Sequence, residues 1–249
     1  MHALAEFDRH RPLLFALAYR MLGSVHDAED ILQEAYLRWM HAAMTAVDSP
    51  KDYLCAVVTR LSIDQLRSAR VRRQTYYGIW LPEPLVTDGR EDPGEKAALR
   101  SELSVAFLLL LERLSPVERA VFLLRDVFDY DYADIANVVD KSPDNCRQIA
   151  RRARQRIGDR QARYEAGAGQ AEAMTRQFVT ACVSGDLQGL TSLLANSVTL
   201  RADGGGKARS AINPIFGSDR VARFFLGIQR KPGPPVRFAL ATVNGRPGV

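Results

Sequence analysis

The 249-residue chain is long enough for more than one domain, and its 47% apolar content excludes wholesale disorder. A formal net charge of +5 directs attention to nucleic acid or another anionic surface. Three scattered cysteines, four histidines without zinc spacing, no signal pattern and no apolar run of roughly 20 residues argue against a disulfide scaffold, a metal site and a membrane span. The expectation is a cytoplasmic protein that needs no cofactor.

Residues 1–75 read as helices. Ser24-Val25-His26-Asp27 has the form of a capping box, and the stretch after it sets Ala28, Ile31, Leu32, Ala35 and Trp39 on one face. The opposite face carries Glu29, Asp30, Gln33, Glu34 and Arg38. Ser49-Pro50 supplies an N-cap and a first-turn proline for a further helix. Its inward stripe is Tyr53, Leu54, Val57, Val58, Leu61 and Leu66, and Arg60, Arg67, Arg70, Arg72 and Arg73 gather towards its end. Residues 76–95, with Trp80-Leu81-Pro82-Glu83-Pro84 and the run Asp88 to Gly94, favour neither helix nor strand and read as a linker.

Helical periodicity resumes near Glu95 and lasts to about Leu114. Ser115-Pro116-Val117-Glu118 packs an N-cap, an N1 proline and an N3 glutamate into four residues, with Val117, Val121, Leu124 and Phe128 following at helical spacing. A short helix from Tyr132 to Val138 reaches a turn at Val139-Asp140-Lys141. Ser142-Pro143 then opens a long helix to about Tyr164. Residues 96–165 are thus a second helical domain. Gly167 and Gly169 mark the next boundary. Within 171–249 the pattern becomes α+β: a helix from Ala171 to Ser184, then Val198, Leu200 and Ala202 in alternation with polar residues. Gly204-Gly205-Gly206, a capped helix from Ser218 and an extended piece from Val236 to Val243 complete it.

The segment from Tyr132 to Ile157 is the strongest signal of function. On its long helix Cys146, Ile149, Ala150, Ala153 and Ile157 form an apolar stripe, opposite Asp144, Asn145, Arg147, Gln148, Arg151, Arg152, Arg154 and Gln155. Between Lys141 and Arg163 stand eight basic residues against two acidic ones, a local excess above the net charge of the whole chain. A recognition helix needs this division, one face packed and the other able to meet phosphates and base edges. Arg60, Asp64, Arg67 and the Arg70-Val71-Arg72-Arg73 run, followed by Tyr76, Tyr77 and Trp80, add a second basic surface with aromatic platforms for unpaired bases.

These signals, in this order and separated by an acidic, proline-bearing linker, resemble the extracytoplasmic-function (ECF) RNA polymerase sigma factors. The likeness rests on Asp27-Ala28-Glu29-Asp30-Ile31-Leu32-Gln33-Glu34-Ala35-Tyr36-Leu37-Arg38, on Tyr53-Leu54 with Arg60-Leu61-Ser62-Ile63-Asp64, and on Leu114-Ser115-Pro116-Val117-Glu118-Arg119 with the helix–turn–helix. It implies a multi-domain chain: an all-α sigma domain 2 over 1–75 and an all-α sigma domain 4 over 96–165. It further implies that Asp30, Gln33, Glu34, Leu37 and Arg38 face core RNA polymerase (its β′ and β subunits). Arg60, Asp64, Arg67 and Arg70 would lie near the −10 strand of promoter DNA. Asn145, Arg147, Gln148, Arg151 and Arg152 would meet the −35 duplex. No catalytic or metal residue is implied.

Residues 171–249 resemble a SnoaL-like domain, a cystatin-like α+β cone. Asp203-Gly204-Gly205-Gly206-Lys207, with Trp80-Leu81-Pro82-Glu83-Pro84, is similar to the sigma subgroup that carries this fused domain. The resemblance implies regulation in cis, the domain contacting the linker in place of a separate anti-sigma factor. Such domains continue through further strands, so the stop at Arg246-Pro247-Gly248-Val249 leads one to expect a C-terminally incomplete sheet. Two other readings compete. One is a dimeric helix–turn–helix repressor with a ligand-sensing tail, whose small-molecule ligand the sequence leaves unknown. The other is a SnoaL-like isomerase or cyclase with Asp203 as base and Arg201 or Lys207 in its pocket. Asp203 beside three glycines is more commonly a turn residue.

Overall fold

Three long helices open the chain: α1 (His2–Leu22), α2 (Val25–Ala42) and α3 (Pro50–Arg73). The computed structural model describes residues 2–42, 47–73, 80–87, 104–158, 168–204, 211–230 and 238–249. Ser24 Oγ accepts the Asp27 N–H at 3.2 Å to start α2, and Ser49 Oγ accepts the Asp52 N–H to start α3. Ala28, Ile31, Leu32, Ala35 and Trp39 are the buried residues of α2, as the 3.6-residue period requires. Helix α2 packs against α1 and α3, whose Leu14, Leu17, Met21, Leu54 and Val58 are likewise buried. Trp39 buries its ring and donates Nε1–H to the Ala3 carbonyl at 2.7 Å, which satisfies its one polar atom.

A second set of helices follows: α4 (Val105–Leu111), α5 (Pro116–Phe122), α6 (Tyr132–Val139) and α7 (Pro143–Ile157). Ser115 and Glu118 form a full capping box, each side chain accepting the other's backbone N–H. The helix expected to continue through Leu124 and Phe128 instead widens into one π-helical turn, Leu123–Val127, and stops at Phe128. The α6–α7 turn closes through Asp140 in the left-handed region (φ 54°) and a bond from the Lys141 N–H to the Ala136 carbonyl at 3.1 Å. Helix α7 ends at Ile157, short of the expected Tyr164. Gly158 adopts φ 70° and returns its N–H to the Arg154 carbonyl, and residues 159–167 lie outside the described residues.

The chain divides into two compact units, Met1–Thr75 with Glu91–Arg163, and Tyr76–Arg90 with Tyr164–Val249. In the first unit both helical sets pack together, α3 lying against α5 and α6. Arg119, 3% exposed, donates Nη1–H to the Met21 carbonyl at 2.6 Å and Nη2–H to Glu112 Oε1 at 2.9 Å, linking α1 to α4 and α5. Arg20, also buried, bonds the Ala16 carbonyl and sets its guanidinium 5.5 Å from the Phe128 ring centre.

Among its described residues the second unit contains α8 (Ala168–Ser184), α9 (Leu187–Leu193), α10 (Ser218–Gln229) and five short strands. Its core is Ala181, Cys182, Leu190, Ala222 and Leu226, ringed by Phe178, Leu187, Leu194, Phe225 and Phe238. Strands β2 (Thr199–Leu200) and β3 (Ile215–Phe216) pair antiparallel. Strands β1 (Val86–Thr87), β4 (Ala241–Val243) and β5 (Arg246–Gly248) form an antiparallel sheet in the order β1-β4-β5. Part of the expected linker is therefore a strand, with Val86 opposite Val243 and Thr87 opposite Thr242. Helix α10 begins differently from expectation. Its N-cap is Gly217 at φ 89°, Ser218 is the first helical residue, and no side chain caps it. The β4–β5 hairpin turns on Asn244-Gly245, both at positive φ, a pairing that suits a two-residue hairpin turn.

Candidate nucleic-acid interface

Helix α7 is seated on five buried residues, Cys146, Ile149, Ala150, Ala153 and Ile157, against α5 and α6. Ser142 Oγ accepts the Asn145 N–H at 3.2 Å, fixing the first turn and leaving the opposite face in solvent. All the expected −35 residues lie on the solvent side. Arg147, Gln148, Arg151 and Arg152 are exposed and Asn145 is half-buried.

The arginines of this face are not equivalent. Arg147 pairs with Asp144 and lies 5.4 Å from the Tyr132 ring centre. Arg154 donates Nε–H to Asp126 Oδ1 at 2.8 Å, and this bond raises its pKa, with burial opposing. Arg156 pairs with Glu118. Burial pushes the Glu118 carboxyl up, but the Ser115 backbone and hydroxyl, with Arg156 and Arg152, hold it below the usual carboxylate range. The roles of Arg156 and Arg154 as ties into the scaffold escaped the sequence, because their partners lie 38 and 28 residues away.

The expected −10 residues lie on α3. Asp64 and Arg67 are exposed and pair with each other at 3.4 Å. Arg60 is engaged elsewhere: Nε–H donates to the Val138 carbonyl at 3.0 Å and Nη2–H to the Asn137 carbonyl at 2.7 Å. Those carbonyls end α6, where the helix dipole favours a cation. The side chain of Arg70, like Tyr76 and Tyr77, lies outside the described residues. Nearby, burial raises the Cys55 thiol, with Tyr130 opposing; burial, with Cys55 and Asp52, raises the Tyr130 hydroxyl in turn.

The expected polymerase face is continuous on α2. Asp30, Gln33, Leu37 and Arg38 are exposed and Glu34 is half-buried. Arg38 donates Nε–H to Glu34 at 2.9 Å. Leu37 is 55% exposed, a large apolar side chain in water amid charged neighbours.

Within the second unit, Asp203 Oδ2 accepts the Leu81 N–H at 2.9 Å. Asn244 bonds Leu85 twice, its Oδ1 accepting the Leu85 N–H at 3.0 Å and its own N–H donating to the Leu85 carbonyl at 2.8 Å. It thereby prolongs the β1–β4 ladder by one residue. Pro82 is buried, Trp80 and Leu81 half-buried, Glu83 and Pro84 exposed. Gly204 is half-buried, while Gly205, Gly206 and Lys207 lie outside the described residues. Sequence reasoning missed Asn244, although Asn-Gly is a strong hairpin signal.

Two helical domains, the second ending in a basic helix–turn–helix, define a transcription factor that meets promoter DNA. Family models for sigma-70 region 2 and sigma-70 region 4 match residues 7–72 and 104–157. The ECF RNA polymerase sigma factor SigJ of Mycobacterium tuberculosis is 40% identical over 249 residues, 98% of this chain and 80% of that relative. The probable ECF RNA polymerase sigma factor SigI of the same species is 35% identical over 219 residues, 87% of this chain and 73% of that relative. The crystal structure of M. tuberculosis SigJ superposes with a TM-score of 0.79 at 38% identity, covering 98% of this chain and 83% of that one. The chain belongs to the ECF RNA polymerase sigma factors, which are non-enzymatic transcription initiation factors that bind core RNA polymerase and promoter DNA. This displaces the repressor reading and the isomerase reading of Asp203. Among the described residues, no helix is long and apolar enough to cross a membrane.

Proposed function

We propose that the three surfaces divide the work of initiation and that the C-terminal unit tunes it in cis. The α2 face with Asp30, Gln33, Glu34, Leu37 and Arg38 docks on the polymerase. The α3 end with Arg60, Asp64, Arg67 and Arg70 meets the −10 strand, and α7 enters the major groove at −35. For Arg60 to reach DNA, its two bonds to the end of α6 must break. The C-terminal unit is a SnoaL-like domain that takes the place of a separate anti-sigma factor, acting through residues 80–87 and 203–207.

The observation that carries the cis reading is the stitching of the interdomain segment into the second unit, by Asp203 to Leu81, Asn244 to Leu85 and β1 to β4. That segment joins the two helical sigma domains in sequence, so its pairing restricts their rearrangement. Run-off transcription with purified core polymerase and the intact chain is the test. The expected result is a transcript from a discrete start that requires the chain and disappears with Leu37→Asp. No chain-dependent transcript, on templates that a control sigma factor transcribes, would overturn the reading.

A further inference from the structure

The polar side of α7 resolves into three files. At about 100° per residue, Gln148, Arg151 and Gln155 fall within about 60° of one another, opposite the buried stripe. Arg147 and Arg154 lie together on one flank, and Asn145, Arg152 and Arg156 on the other. The flanking arginines are tied: Arg147 to Asp144, Arg154 to Asp126, Arg156 to Glu118, with Arg152 in the field of Glu118. Among the described residues, Gln148, Arg151 and Gln155 have no hydrogen bond or ion pair from their side chains, and all three are exposed.

A guanidinium reads guanine by presenting two parallel N–H groups to O6 and N7, and a Gln amide reads adenine at N6 and N7. A guanidinium already committed to a carboxylate has part of that fork occupied, and it carries beside it an anion that duplex phosphates repel. None of the three central side chains is bonded to a carboxylate, although Asp144 stands one turn before Gln148 on the same file. Gln148 and Gln155 are seven residues apart, about 10.5 Å along the axis, which matches about three base-pair steps.

We propose that Gln148, Arg151 and Gln155 are the base-reading residues of α7, Arg151 taking a guanine and the two glutamines adenines. Arg154 and Arg156 hold the helix in place, and neither they nor Arg147 select sequence. The inference rests on the −35 reading above and adds Gln155, which the sequence pattern alone left outside the DNA-contacting set.

The test is selection of random duplexes by holoenzyme assembled from core polymerase and the intact chain, compared with Arg151→Lys, Gln155→Ala and Arg154→Lys. Arg151→Lys keeps the charge and loses the fork. It should weaken preference for guanine at one upstream position about tenfold, and Gln155→Ala should relax one adenine position by several-fold. Arg154→Lys should leave every base preference unchanged. Pools from Arg151→Lys and Gln155→Ala that match the unaltered chain would overturn the proposal, as would an altered base preference with Arg154→Lys. Failure of the unaltered holoenzyme to enrich any upstream element would overturn the −35 reading itself, which separates the two outcomes.

Discussion

The two compact units are held by different kinds of contact. In the first, the elements are closed locally: Ser24 caps α2, Ser115 and Glu118 box α5, Ser142 caps α7, and each helix buries one stripe. In the second, strand β1 depends on a partner far along the chain, Leu85 bonding Asn244 across 159 positions. Local closure is inexpensive in chain entropy, whereas long-range pairing must offset loop closure before any contact forms. The second unit is therefore the more readily perturbed.

Substitutions can break or sharpen that contrast. The largest effect is expected from Leu190→Ala at the fully buried centre of the second unit, about 3 kcal/mol for a truncated buried leucine. Hydrogen exchange should show protection lost in α8–α10 and kept in α1–α3; loss spread evenly over both would refute the contrast. Arg119→Ala should cost the first unit about 2–3 kcal/mol, because the Met21 carbonyl and Glu112 lose their charged donor in a buried place. Its thermal unfolding midpoint reads this directly.

Arg60→Ala should cost about 1 kcal/mol, since its two bonds lie partly in solvent. It should also increase exchange at the last turn of α6 in the free protein. Smallest is the pH dependence of Glu118. Its folded pKa is depressed, so its stabilisation is complete above the unfolded value of about 4.3 and is lost as pH falls through the folded value. Glu118→Gln should flatten the acid limb of a melting-temperature profile and leave any response at higher pH unchanged.

Legibility followed the same division. All five buried residues of α7 and all five of α2 are readable from period alone, and the caps from Ser-Pro and the Ser115–Glu118 spacing. The C-terminal limit of α7 was overestimated because its basic periodicity continues past Gly158, where a positive φ ends the helix. Strand β1 was invisible: two residues amid prolines carry no alternation, and their pairing with β4 is set by tertiary structure. Arg60 is a further case. It donates to backbone carbonyls 77 and 78 residues on, which no side-chain pattern announces. At α7 the sequence marks the basic face, and only the ion pairs to Asp126 and Glu118 distinguish tied arginines from available ones.

The claim that the C-terminal unit acts through the interdomain segment is tested most directly by run-off transcription with Asp203→Ala/Asn244→Ala beside the unaltered chain. Freeing the N–H groups of Leu81 and Leu85, with the backbone bond from Asn244 to the Leu85 carbonyl left in place, should change transcript yield several-fold at equal sigma and core concentrations, with the far-ultraviolet circular dichroism of the helical unit retained. Equal yields from the two proteins would contradict control through this segment.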